Sequence, residues 1–152
     1  MPSPALASTK ARYRGNYFSM LQPEAWSDET VYLLRGPVSD GLQHSITVTC
    51  DRNPQTDSLD DYADPRMDEA MDALENAVLL LDDTITLDSD TPARRYIIRW
   101  TVNNRTLYQQ NVCLLANNMG FLLSASFTDA SRREVGEEVE AVMRSFVPEP
   151  SG

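Results

Sequence analysis

His44 is the one imidazole in the chain, and Cys50 and Cys113 are its two thiols. A histidine general base needs a nucleophile or acid beside it, and no Ser or Cys partner is placed near His44, which opens a strand-like run. It reads as a strand-edge residue. Each cysteine lies among Ile, Val and Leu, where a free thiol behaves as a small hydrophobe and not as half of a disulfide or redox pair. The carboxylates Asp57, Asp60, Asp61, Asp64 and Asp68 lack the spacing of a calcium loop and fall on helix turns, which makes them a solvated helix face. Asp82-Asp83 and Asp88/Asp90 are paired, but nothing in the sequence brings them together around a substrate. No glycine-rich phosphate loop and no nucleophile motif is present, so the chain reads as a binder and not an enzyme, with no cofactor and no metal. The side chains that do call for a partner are Tyr108, Gln109 and Gln110, because an amide covered in mid-strand must be hydrogen-bonded. Two readings stand for them, an exposed strand edge or a partner-recognition group.

The elements that must carry these residues follow from periodicity. Within 152 residues, 41% hydrophobic and 24% charged, one domain with an ordinary core is expected. A net charge of −10 without a Lys/Arg cluster argues against nucleic acid. The longest apolar run, Ala77–Leu81, is far too short to span a bilayer, so the protein is not membrane-embedded. The N-terminus shows no signal-peptide pattern, from which a cytoplasmic location is expected. Residues 1–12 read as a flexible tail and 13–150 as the domain.

A first strand is expected around Tyr17–Leu21. A second, Thr30–Arg35, turns back at Gly36-Pro37, and a third, His44–Cys50, alternates Ile46/Val48/Cys50 against Ser45/Thr47/Thr49. Ser58 is a candidate N-cap for a helix ending near Glu75, with Pro65 either kinking it or standing at the first position after an Asp64 cap; a kinked or two-part helix is favoured. Strands follow at Ala77–Leu87, Arg94–Val102, Arg105–Ala116 and Phe121–Phe127, with tight turns at Asn103-Asn104 and Asn117–Gly120. A closing helix starts from Asp129 as N-cap and carries Val135, Val139, Val142, Met143 and Phe146 on one stripe. Between residues 93 and 127 the strands are apolar on both faces, a surplus that reads as a docking surface. The expected architecture is α/β (α+β): an antiparallel sheet with both helices packed on one face and an open concave face on the other. Val31 and Leu33, with Ser45, Thr47 and Thr49, would give that face an apolar and small-polar character suited to a guest helix.

In order along the chain, Pro23-Glu-Ala-Trp26, the alternating Val31 and Leu33, the Ser45–Asp51 strand, Ser58-Leu-Asp-Asp-Tyr62, the Arg99-Trp100 hairpin leading to Gln109-Gln110, and Ser145-Phe146-Val-Pro148 resemble the DcrB-like domain. Within it they most resemble the type VI secretion branch, the Eag effector chaperones, from about Tyr17 to Pro150. The resemblance implies a PsbP-like fold and a cytosolic homodimer whose sheets form a cup. That cup would hold the N-terminal transmembrane helices of a secreted Rhs or PAAR-containing toxin, with a segment that completes the PAAR spike. Carried over by position, the cup residues would be Val31, Leu33, Ser45, Thr47, Thr49, the helix stripe Arg66, Ala70 and Leu74, and the strand glutamine Gln110, with Tyr108 beside it. Pro65 and Arg66 depart from the family's pattern. A second reading is a DcrB-like accessory domain of an envelope-associated complex with no toxin client.

Overall fold

The computed structural model describes residues 11–150. Residues 1–10 of the expected tail lie outside the described residues, and Ala11 and Arg12 already belong to the first strand. Eight strands and two helices follow in the order β1 (Ala11–Gly15), β2 (Phe18–Gln22), β3 (Glu29–Ser39), β4 (Leu42–Asp51), α1 (Leu59–Ala73), β5 (Val78–Thr86), β6 (Pro92–Val102), β7 (Arg105–Ala116), β8 (Met119–Phe127) and α2 (Asp129–Arg144). β1 and β2 form a separate hairpin, while the other six strands make one antiparallel sheet in the order β3-β4-β8-β7-β6-β5.

The turns sit where the chain tolerates positive φ. Asn103 and Asn104 (φ 51° and 60°) close β6 onto β7, and Asn117 and Asn118 (54° and 62°) close β7 onto β8, as two-residue hairpins demand. The β3–β4 turn is instead at Asp40-Gly41 (50° and 72°), not at Gly36-Pro37. β3 runs through that pair with a register shift between Arg35 and Val38. The reason is that β3 is an edge strand, where a proline without an N–H costs no ladder bond.

Helix α1 begins at Leu59 with Ser58 accepting from the Asp61 amide at 3.3 Å, so Pro65 lies inside the helix and Asp64 is not its cap. For α2 the cap is Thr128 and not Asp129: the Ser131 amide donates to Thr128 Oγ1 at 3.1 Å and the Thr128 amide to Ser131 Oγ at 2.9 Å, a reciprocal capping box.

The antiparallel sheet with helices packed on it is as expected, but the helices do not share a face. Val135, Val139 and Met143 of α2 pack on Ile46, Val112, Leu114, Phe121, Leu123 and Phe127. Tyr62 and Ala63 of α1 pack on Tyr96, Ile98 and Cys113. Val112 and Cys113 are neighbours in one strand and point to opposite faces, so one helix lies on each side. The double-faced apolarity of residues 93–127 is therefore satisfied within the chain by two helical covers, and it is not the docking surface it resembled. Gly120 lets α1 approach, because a Cβ there would stand 2.1 Å from the Tyr62 ring. Arg94, only 10% exposed, ties the α1 side together through Asp60 (2.8 Å), Asp64 (3.0 Å) and Asp82 (2.8 Å).

Candidate functional site

Cover by α1 is incomplete. The helix lies over β6, β7 and the start of β8, and the same face continues across β8, β4 and β3 without a helix. The register places Val31 opposite Thr49, Leu33 opposite Thr47 and Arg35 opposite Ser45, while Thr47 faces Ser124 and Gln109 faces Ser126. Side chains directly opposite in a ladder share a face. The open region is therefore an apolar rim on β3 and a floor of small polar side chains. Val31 is 56% exposed and Leu33 58%, whereas Ser45, Thr47 and Thr49 are half-buried. A hollow of about 170 Å³ is lined by Gln43, Ser45, Thr47, Gln109, Ser124 and Ser126.

Beneath that hollow, buried Asn111 donates from Nδ2 to Gln109 Oε1 at 3.0 Å and accepts from Ser124 Oγ at 2.6 Å. That bond occupies Oε1 of Gln109, which lines the hollow, and its amide nitrogen meets no acceptor among the described residues. A guest with an unpaired backbone carbonyl would satisfy that donor.

The residues named from the sequence divide three ways. Val31, Leu33, Ser45, Thr47 and Thr49 are brought together on the open face. Arg66 borders it: its guanidinium bonds Asp51 at 3.1 Å and Tyr62 O at 2.8 Å and lies 3.6 Å from the Tyr62 ring, clasping α1 to the end of β4. Burial, opposed by Arg66, pushes the Tyr62 hydroxyl above its ordinary pKa. Ala70 and Leu74 are half-buried against the Tyr62–Ile98 cluster, so α1 spends them on its own packing.

Tyr108 and Gln110 are on the opposite face. Gln110 is buried and donates to Glu140 of α2, which also takes Arg95 at 2.8 Å. Tyr108 lies 4.9 Å from the Arg132 guanidinium, and its hydrogen bond to Asp129, with some burial, raises its pKa. The glutamine of the open face is Gln109, a one-residue correction. Asn111, Ser124 and Ser126 are the floor residues missed from the sequence, which singles out Gln109 without assigning it to this face. Counting outward from Asn103-Asn104 carries the signal, since that register sets Gln109 opposite Ile98 and Gln110 opposite Ile97.

Exposed apolar side chains concentrate beside this face, on β1–β2 (Phe18, Met20, Leu21) and on both sides of β3 (Val31, Tyr32, Leu33, Leu34). Long flat edge strands of this kind are ordinarily blunted or covered. No helix among the described residues is long and apolar enough to cross a membrane.

A family model described as DcrB matches residues 19–145. The fold is similar to the crystal structure of PA94 from Pseudomonas aeruginosa, a protein of unknown function, with a TM-score of 0.71 and 19% identity over 93% of this chain and 98% of that one. It is also matched, with a TM-score of 0.49 and 11% identity over 76% of this chain and 80% of the other, by LpqN of Mycobacterium tuberculosis, described as involved in cell envelope biogenesis. No curated protein sequence matches the chain significantly.

Proposed function

The chain belongs to the DcrB family, and from that premise we propose that it is a cytosolic chaperone of the Eag kind: a homodimer that shields the N-terminal transmembrane helices of a type VI secretion toxin until loading. It acts by binding and not by catalysis. The observation that carries the reading is the half-open face, an apolar rim of Val31 and Leu33 over a floor of hydroxyls with the Gln109 amide free among them.

The chemistry of a membrane helix in water suits that surface. Its apolar area is worth about 25 cal/mol per Å² when covered, and a partner that supplies the cover suppresses aggregation. Small residues such as Thr47, Thr49 and Ser124 let a helix backbone approach closely, as small residues do between membrane helices, and their hydroxyls meet polar atoms that hydrocarbon leaves unsatisfied. The net charge of −10 keeps a loaded complex soluble. In this reading a PAAR-completing segment of an Rhs or PAAR-type toxin lies along the same face.

The test is co-expression with the membrane-segment-bearing N-terminus of a toxin encoded beside this gene. A soluble complex that co-purifies is expected, with Leu33→Glu and Gln109→Glu each weakening it about tenfold or more, roughly 1.4 kcal/mol. Failure of every such segment to co-purify overturns the chaperone reading and leaves a DcrB-family accessory domain of an envelope complex.

A further inference from the structure

We propose that the β1–β2 hairpin is an exchange arm: in a symmetric pair of chains, each hairpin seats its apolar face on β3 of the other copy, on the α2 side of that strand. The inference deepens the dimer of the reading above by assigning it surfaces, and those surfaces lie away from the proposed guest face.

A two-stranded hairpin is marginal in water unless something covers it. In this one Tyr13 pairs with Met20 and Gly15 with Phe18, which puts Tyr13, Phe18 and Met20 on one face, with the Tyr13 and Phe18 rings 5.7 Å apart. Arg12, Arg14 and Leu21 take the other face. Within the chain that apolar face is left uncovered: Phe18 is 53% exposed and Met20 54%. An opening of about 470 Å³ lies between the hairpin and the start of its own β3.

β3 offers the matching seat. On its α2 side Tyr32 and Leu34 are 52% and 62% exposed, and the strip they form runs into an apolar hollow of about 100 Å³ between β3 and α2, lined by Leu34, Pro37, Ile46, Val139 and Val142. The outer edge of β3 pairs with no other strand among the described residues, and from Thr30 to Leu34 it carries no charge and no proline. Such an edge accepts another strand.

Charge selects a second copy as the occupant. Residues 11–22 hold two arginines and no carboxylate in a chain of net charge −10, so the arm is locally basic on an acidic protein. The hollow is edged by Glu138 and Arg35, and α2 beside it carries five carboxylates against three arginines. Arg12 and Arg14 on the arm's outer face meet those carboxylates when the inner face is seated, an attraction that an uncharged membrane segment cannot supply. Each chain carries one arm and one seat, so reciprocal docking closes a two-fold dimer with neither left over.

The test measures the mass of the full chain by sedimentation velocity, with Phe18→Asp, Leu34→Asp and, as control on the far edge, Leu79→Asp. A dimer is expected for the unaltered chain and for Leu79→Asp, and association at least tenfold weaker for Phe18→Asp and Leu34→Asp with unchanged circular dichroism. Mixing a tagged Met20→Cys chain with an untagged Leu34→Cys chain and a short bis-maleimide should yield a cross-chain product absent when Val78→Cys replaces Leu34→Cys. A monomeric unaltered chain overturns the proposal. So does a dimer indifferent to both aspartates, which leaves the chaperone reading untouched, while a Phe18→Asp monomer that still co-purifies with the membrane segment supports the arm and separates it from guest binding.

Discussion

The two halves of the six-stranded sheet are built for different ends. Around β6 and β7 both faces are sealed, by α1 through Tyr62 and Ala63 and by α2 through Val139 and Met143, and the seams are closed by Arg94 on one side and Arg95 on the other. Around β3 only β4 stands as a neighbour, and Val31, Tyr32, Leu33 and Leu34 are all more than half exposed. The same residue types, Val and Leu in a strand, hold the fold together in one half and stand exposed in the other. What differs is the helix above them. A helix is long enough to cover about half of a six-stranded sheet, so the face that lacks a second helix keeps an unsatisfied margin.

The sharpest way to break that comparison is to shorten a leucine in each half. Leu114→Ala, fully buried, should cost about 2–5 kcal/mol in denaturant unfolding, whereas Leu33→Ala should stay within about 0.5 kcal/mol. Equal costs would mean that β3 is already packed in the isolated chain. Next is the seam: Arg94→Met should lose about 1–3 kcal/mol, because it removes the cation that ties Asp82 of β5 to α1, while Asp60 and Asp64, more than half exposed, regain water. A loss near zero would show that α1 is held by its apolar contacts alone.

A smaller effect sharpens the α2 side. The Arg95 hydrogen bond holds Asp83 below the ordinary carboxylate value of 3.8, outweighing burial. A depressed folded pKa stabilises above the unfolded value and loses that stabilisation as pH falls through the folded one. Unfolding midpoints should therefore drop below about pH 4, and Asp83→Asn should flatten that limb; an unchanged acid limb would remove Asp83 from the account. Smallest is a reactivity difference. Burial pushes the Cys113 thiol up to about 12, so it should resist thiol reagents at pH 8 until the protein unfolds, and rapid labelling of Cys113 in the native state would place α1 elsewhere.

Much of this was legible locally. The clean alternation of Ile46, Val48 and Cys50 against Ser45, Thr47 and Thr49 set both faces of β4, and the paired asparagines set two hairpins and, through their register, the facing of Gln109 and Gln110. Ser58 was recognisable as a cap because its hydroxyl and the first-turn aspartates belong to one short stretch. Gly36-Pro37 was misleading, since a glycine-proline pair makes a turn or an edge bulge and only the neighbour of β3 decides which. The carried-over glutamine fell one residue off, onto a strand position that pairs with Ile97 and bonds Glu140.

Pattern alone established an antiparallel sheet, two amphipathic helices, a net charge of −10 and the five residues of β3 and β4 that share a face. Only the tertiary structure put one helix on each side, buried Gln110 beneath α2, raised Gln109 into the hollow and left the β1–β2 hairpin uncovered. The reason is range. Periodicity and turn geometry act over a few residues and fix which side chains share a face, but two apolar faces attract a helix equally. Which one each helix takes is settled by contacts between residues far apart in the chain, such as Tyr62 over Gly120 and Arg94 with Asp60.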